Sequence, residues 1–412
     1  MSCNHKWFTV FAEDYCKKVT DGTHDSPKKQ LEGKYLITSR HLKEFSLDLN
    51  NAYRISESDF NKINERSKVD TWDIMISMIG TVGNIYLEKS HQIDYAIKNV
   101  GLFKMGGDVE KAKWLYYYLK SPKAQEYIKV NMRGSTQQYI PLGSLRKLPI
   151  KVSAFNKEMN TITHILSTLD EKIETNNQIN EKLEEMAQAL FKHWFVDFEF
   201  PNENGEPYKS SGGEMVESEL GMIPKGWRVG KVGEIIQLFD HKRIPLSKKE
   251  RDKRDKIYPY YGAASLMDYV DDFIFNGLYI LLGEDGTVVD DSGYPIIQYV
   301  WGKFWVNNHA HVIKGIENIS EDFIYLYLRN INVNSIVTGA VQKKISQQNL
   351  KNLKALLPNN YDLIKEFSFI VNPWFTLLRN NIEQNRRLEK VRDTLLPKLM
   401  SGEIRVPVEE EK

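Results

Sequence analysis

The 412-residue chain carries only two cysteines, Cys3 and Cys16, both near the N-terminus. Two thiols cannot build a multi-bridge scaffold or a four-cysteine zinc site, and their scarcity points to a reducing compartment, the cytoplasm. No stretch approaches the roughly 20 apolar residues that span a bilayer, and the opening MSCNHKWFTVF has neither the basic flank nor the apolar core of a secretory signal. Charge of one sign is missing as well. Lys and Arg total 56 against 55 Asp and Glu, a net charge of +1, so no whole-chain excess points to nucleic acid or to a solvating tail. Any charge signal must be local. What the chain does have is apolar material, 41% hydrophobic with 11% aromatic, enough for real cores in a length that fits two or three domains.

The chain also repeats itself once. GSTQQYIPLGSLRKLPI from Gly134 aligns with GAVQKKISQQNLKNLKAL from Gly339, keeping Gln137/Gln342, Ile140/Ile345, Leu145/Leu350 and Leu148/Leu353 in register at an offset of 205. Further on, Leu169/Leu378, Ile173/Ile382, Asn176/Asn385, Met186/Leu395 and Leu190/Leu399 align at an offset of 209. Trp7 and Trp227 open the two copies. Each copy keeps a strand-like run ending in glycine, WDIMISMIGTVGNIYL and YILLGEDGTVV, then an apolar strand and an aromatic-rich helix. Short β-branched runs between turn residues, with a helix or two, predict an α+β globule of about 150 residues, twice over.

The segments after the globules differ in kind. From about Phe155 to Phe195 there is neither Pro nor Gly, and Leu169, Ile173, Asn176, Asn180, Leu183, Ala187 and Leu190 alternate spacings of four and three, a coiled-coil seam. About 40 helical residues make a rod roughly 60 Å long, more than a globule needs internally. The second copy, about Tyr361 to Ser401, carries its apolar face on Leu378, Ile382, Leu388, Leu395, Leu396 and Leu399, with Glu389 and Arg392 where Asn180 and Leu183 stood; Pro397 and Gly402 are expected to close it. Asn176 and Asn385 occupy equivalent places, either as a buried amide pair fixing register or as tolerated polar residues. Equivalent copies favour antiparallel rods with a globule at each end, a dumbbell. The predicted plan is a first globule at 1–154, a spacer helix at 155–200, a linker at 201–223, a second globule at 224–358, a second spacer helix at 359–403 and a tail at 404–412. Two differing surfaces held at fixed separation suit the half-sites of a DNA duplex.

The duplicated plan, the phrase RDTLLPKLMSGEI (Arg392 to Ile404), the run EKLEEMAQALFKHWFVDFEFP (Glu181 to Pro201) and ESELGMIPKGW (Glu217 to Trp227) resemble type I restriction-modification specificity subunits over essentially the entire chain. The resemblance implies two target recognition domains that each read half of a split DNA target, and helical spacers that also bind two methyltransferase subunits. It further implies a subunit without an active site or bound cofactor, in a holoenzyme that uses S-adenosylmethionine for adenine methylation. Separate motor-nuclease subunits, joined through the methyltransferase core, would use ATP and Mg²⁺. A specificity subunit of a related fused restriction-methylation enzyme shares this architecture, and a coiled-coil scaffold without DNA is the alternative of another class.

Motifs for independent chemistry fail in turn. GWRVGKV from Gly226 has the wrong P-loop spacing and Val232 in place of the hydroxyl. Asn372-Pro373-Trp374-Phe375 lacks the second proline of an adenine-methyltransferase base pocket and reads as a local kink. Glu32-Gly33-Lys34 after Asp21 and Asp25 is a carboxylate-lysine set that random sequence supplies readily, and His309 and His311, on one face of a strand, have no carboxylate or thiol at ligand spacing, so no metal site is expected. Trp114, Tyr116, Tyr117 and Tyr118, with Phe323, Tyr325 and Tyr327, read as helix core.

DNA contact requires basic and hydroxyl side chains for phosphates and amides, Arg or carboxylates for base edges. The first candidates are the glycine-glutamine loops, Arg133, Gly134, Ser135, Thr136, Gln137 and Gln138 in one copy and Thr338, Gly339, Gln342, Lys343 and Lys344 in the other. Next come Thr20, Asp21, Thr23 and His24 with His241, Lys242 and Arg243, then Ser39 and Arg40 with Tyr260 and Tyr261. The turns Gly80 to Asn84 and Gly283 to Thr287 are third, equally explained as hairpins; Glu284 or Asp285 there suits a cytosine amino group or a turn.

Overall fold

A computed structural model describes residues 7–154, 156–339 and 341–407; Cys3, Phe155 and the end of the tail lie outside them. The chain divides into two compact units, residues 1–177 with 382–412 and residues 178–381. Each holds one globule and a stretch of both long helices.

In the first unit the strand Trp7–Phe11 pairs antiparallel with Pro149–Ser153, so the globule begins and ends on one two-stranded ribbon. A four-stranded sheet runs in the order Lys18–Asp21, Val100–Lys104, Ile74–Ser77, Ile85–Leu87, and a three-stranded one in the order Arg54–Ile55, Lys34–Thr38, Tyr95–Lys98. Ile74–Ser77 is buried at every position, and an uninterrupted apolar run is what a strand covered on both faces requires. Asp108 caps the helix Val109–Lys120 by accepting from the Lys111 N–H at 3.0 Å. That helix buries Trp114, Tyr116, Tyr117 and Tyr118.

The second unit repeats this plan, with one strand more in its second sheet. Trp227–Lys231 pairs with Lys354–Pro358, a sheet runs Ile236–Leu238, Ala310–Gly315, Tyr279–Gly283, Ile297–Val300, and a second runs Leu266–Val270, Tyr258–Tyr261, Lys303–Val306, Phe275–Asn276. Even the parallel pairing recurs, Lys34–Thr38 with Tyr95–Lys98 and Tyr258–Tyr261 with Lys303–Val306. Both units are α+β, and the duplication extends well beyond the segments whose sequences align. The predicted linker at 201–223 is a structured part of this unit: Met215–Ser218 and Gly221–Pro224 form a hairpin, and the Phe200 ring stacks on Tyr208 and Trp227 at 4.7 and 5.7 Å.

The first spacer helix is Asn156–Phe191, followed by a π-helical turn at Lys192–Val196; the second is Asp362–Ser401. Their lengths of 36 and 40 residues correspond to about 54 and 60 Å at the α-helical rise. Pro397 does not close the second helix. The backbone continues through Pro373 and Pro397, each forgoing one hydrogen bond, and stops at Gly402, whose φ of +80° lets Ile404 N–H reach back to the Lys398 carbonyl at 3.1 Å.

Within each unit the two helices run antiparallel. Their seam is only partly apolar: Ile173, Leu378, Leu396 and Leu399 are buried, Leu169, Leu183, Leu190, Ile382, Leu388 and Leu395 half-buried, and Met186, which the sequence aligns with Leu395, is 49% exposed. Amides fill the middle. Asn176 Nδ2 donates to Asn385 Oδ1 and to Gln384 Oε1, both at 2.8 Å, and Asn385 Nδ2 donates to Asn177 Oδ1 at 2.8 Å. In the second unit Asn381 Nδ2 donates to Asn180 Oδ1 at 2.9 Å. The two equivalent asparagines of the duplication therefore bond to each other, fully buried on one side and 6% exposed on the other. Asn385→Leu should cost about 1–3 kcal/mol, because it strips the buried Asn176 of a partner. Replacing Asn176 and Asn385 together by leucine should recover much of that loss while relaxing register. Urea denaturation of the native chain and both variants checks these outcomes.

Candidate nucleic-acid interface

In each globule the fold gathers the segments singled out in the sequence onto one group of strand ends. In the first, Arg133 and Tyr139 exchange backbone hydrogen bonds at 2.8 and 2.9 Å, closing a loop in which Arg133 and residues 134–138 are exposed. Gly80 N–H donates to the Gln138 carbonyl and Ile140 N–H to Met78, which sets this loop against the turn after Ile74–Ser77. Ser39 Oγ donates to the Asn99 carbonyl at 3.0 Å, and Asn99 N–H donates to the Thr23 carbonyl. His24 Nδ1 lies 2.8 Å from Asn99 Oδ1.

The side chains sort into those that face solvent and those that hold the loops. His24 and Arg40 are exposed and Thr23 is half-buried. Thr20, Asp21 and Ser39 are buried, which corrects their assignment as contact residues: side chains that open on the interior cannot reach a phosphate or a base edge. Asp21 instead binds Arg66 at 3.2 Å and His24 at 3.1 Å. Arg66, on the helix Glu57–Ser67, also donates to the carbonyls of Asp21 and Gly22. Neither Arg66 nor Asn99 carries a local sequence signal; Asn99 stands out only through its φ of +53°.

The second globule builds its cluster more tightly. Thr338 and Lys344 exchange backbone hydrogen bonds at 2.8 Å, Gly286 N–H donates to Lys343, Ile345 N–H to Glu284, and Glu284 N–H to His309. Thr338, Gly339, Gln342, Lys343, Lys344, His241 and Lys242 are exposed. Arg243 is not: its guanidinium donates to Glu284 Oε2 at 2.7 Å and to the Ala310 carbonyl at 2.6 Å, leaving 10% of the side chain accessible. It supports the loops from beneath. Tyr260 is also a correction. It is 1% exposed, its hydroxyl accepts from Leu246 N–H at 3.0 Å and Arg251 lies over its ring, because it points inward from a strand. Tyr261 is half-buried with its ring edge-on to Phe304.

Beneath this surface lies Asp240, just past the end of its strand, in the place that Asp21 takes in the first globule. It accepts from His311 Nδ1 at 2.6 Å, Gln347 Nε2 at 2.8 Å and Val312 N–H at 2.8 Å. Burial alone would raise its pKa, but hydrogen bonding to His311, the imidazole charge and the Val312 amide outweigh it and hold the carboxyl below the usual range. His311 Nε2 bonds the Ile345 carbonyl at 2.8 Å. No carboxylate lies near the histidines at ligand spacing along the chain, yet the fold places Asp240 and Glu284 against His311 within 4.8 Å. Arg243 and Lys344 pair with these carboxylates and both imidazole nitrogens are engaged, so the group is an ion-pair network with no open ligand set. His309 sits outside it, exposed and bonded to Asp285.

Two like-built globules, each presenting a glycine-centred loop beside basic and amide side chains, define a chain of paired recognition modules. Residues 4–185 and 224–363 match the family described as type I restriction modification DNA specificity domain. The chain is 29% identical over 315 residues to the type I restriction enzyme MjaIX specificity subunit of Methanocaldococcus jannaschii, covering 72% of this chain and 69% of that one. It is 24% identical over 409 residues to the HindI specificity subunit of Haemophilus influenzae, covering 81% and 86%. Its fold is similar to the crystal structure of a type I restriction-modification S subunit from M. genitalium, with a TM-score of 0.54 over 97% of each chain at 18% identity. The chain belongs to the family of type I restriction-modification DNA specificity subunits. No helix among the described residues is long and apolar enough to cross a membrane.

Proposed function

We propose that this chain is the DNA-reading component of a cytoplasmic type I restriction-modification complex, in which each globule reads one half of an asymmetric bipartite target. The observation that supports this most is the pairing of a shared four-stranded sheet order with two different loop sets: Thr136, Gln137 and Gln138 occupy the place that Val341, Gln342 and Lys343 take in the second globule. A similar scaffold with different edges suits two different half-sites. The helix pair sets the gap between them and docks two methyltransferase subunits, to which motor-nuclease subunits attach. Catalysis belongs to those partners, which use S-adenosylmethionine, ATP and Mg²⁺; this chain contributes selection. With a net charge of +1 it should bind DNA weakly alone and gain affinity on assembly.

The test is to map adenine methylation across the genome with the gene intact, deleted, and carrying Gln342, Lys343 and Lys344 replaced by alanine. A split motif should vanish on deletion, and the triple variant should relax or weaken one half alone. In binding assays on the assembled methyltransferase, loss of the two lysines should lower the salt dependence of log K by up to about 2. An unchanged methylome with active partners would leave the scaffold reading standing instead.

A further inference from the structure

At one pair of equivalent positions the two globules meet the spacer helices with opposite polarity. The 209-residue offset that aligns Leu169 with Leu378 also aligns Trp114 with Phe323 and Tyr116 with Tyr325, and so sets Lys113 against Asp322 and Asp170 against Arg379. In the first unit the helix side is acidic at these positions, although Arg392 farther along also reaches Glu44 of the globule. Asp170 accepts from the Tyr117 hydroxyl at 3.0 Å and from Arg392 at 2.7 Å, and Lys113 lies 3.6 Å from Glu171. In the second unit the helix side is basic at the equivalent position, where Arg379 donates to Asp322 Oδ1 at 3.2 Å and to the Tyr299 hydroxyl, while Glu184 elsewhere on the helix pairs with Arg329. Asp170 and Asp322 are each 3% exposed, so the contacts of these two carboxylates lie where screening by water is weak, whereas Glu171 is open to solvent.

We propose that these contacts key each globule to its own stretch of helix, so that the globules cannot exchange places and the order in which the chain carries them is fixed. Seated on the first stretch, the second globule would bring Asp322 against Asp170 and Glu171. It would also offer Leu326 where Tyr117 donates its hydroxyl. Seated on the second stretch, the first globule would bring Lys113 against Arg379. Its strand Ile85–Leu87 would supply Leu87 in the place of Tyr299, since Leu87 stands opposite Ile74 as Tyr299 stands opposite Ile280. Each wrong seating thus removes a hydrogen-bond partner and buries like charges together. The inference concerns assembly within the chain and stands whether or not the loops read DNA.

A charge-swap cycle in the full chain tests it. Arg379→Asp and Asp322→Lys should each lower the melting temperature by roughly 3–6 °C, and the double variant, which gives the second seat the polarity of the first, should recover more than half of the combined loss. Losses that simply add would overturn the proposal. A transplanted chain, carrying residues 227–358 in both positions, supplies a second measurement. It should melt below the native chain, and Asp322→Lys with Leu326→Tyr in the transplanted copy should raise it. A transplant as stable as the native chain would also overturn the keying. If neither transplant folds, the cycle decides.

Discussion

Gly339→Val is expected to cut recognition of the half-site read by the second globule by roughly 10- to 100-fold, the cost of about one mismatched base pair, while leaving the first half-site read normally. Gly339 holds φ at +88°, and a Cβ there would sit 2.1 Å from the Gln342 carbonyl oxygen. A β-branched residue cannot adopt that conformation cheaply, and the obstacle is backbone that closes the loop, so the loop must open. Opening displaces Gln342, Lys343 and Lys344 together. Gly134 faces the same conflict at φ +91°, 2.4 Å from the Gln137 carbonyl, so Gly134→Val should affect the opposite half-site. Methylation rates on oligonucleotides altered in one half at a time separate the two effects. Equal slowing on both halves from either variant would mean the glycine serves folding rather than reading.

Arg392→Ala should be strongly destabilising, by about 3–5 kcal/mol. Its guanidinium binds Asp170 and Glu44, both at 2.7 Å, with Arg392 and Asp170 side chains only 7% and 5% exposed. Truncation leaves the Asp170 carboxylate buried with the Tyr117 hydroxyl and a lysine, Lys120, 4.0 Å away. Arg392→Lys should recover part of the loss, because one ammonium cannot reach both acids as the forked guanidinium does. Asp170→Asn with Arg392→Ala should be milder than Arg392→Ala alone, since it removes the stranded charge. Guanidinium denaturation of the native chain and the three variants reads all these comparisons.

The sequence reveals the duplication, the α+β globules and the helices because each leaves a local trace: aligned glycine-glutamine loops, strand-length apolar runs, and a proline-free stretch with alternating spacings of four and three. Gly134 and Gly339 are legible for the same reason, as the residue type that a left-handed turn demands. Partners distant in the chain are not. His311 and Asp240 are 71 residues apart and meet only because two strands pair, and Arg66 reaches Asp21 from a helix 45 residues on. The errors have similar causes. Tyr260 and Tyr261 are both read as contact residues, but they alternate along a strand, which turns the first inward. Pro397 reads as a helix stop, yet Gly402 supplies the conformation that ends the helix, and tertiary packing carries the backbone past the proline.

The ribbons that open and close the globules have a consequence for how such chains can change over time. Trp7 pairs with Ser153 and Trp227 with Pro358, so the chain leaves each globule where it entered. Everything between those points behaves as an insert with adjoining ends, and foreign sequence delivered between the same two strands can be accommodated without altering the helices, provided its side chains suit the stretch of helix that receives it. Two crossovers in the gene, one at each edge of the ribbon, therefore suffice to replace a whole globule while both helices are inherited intact.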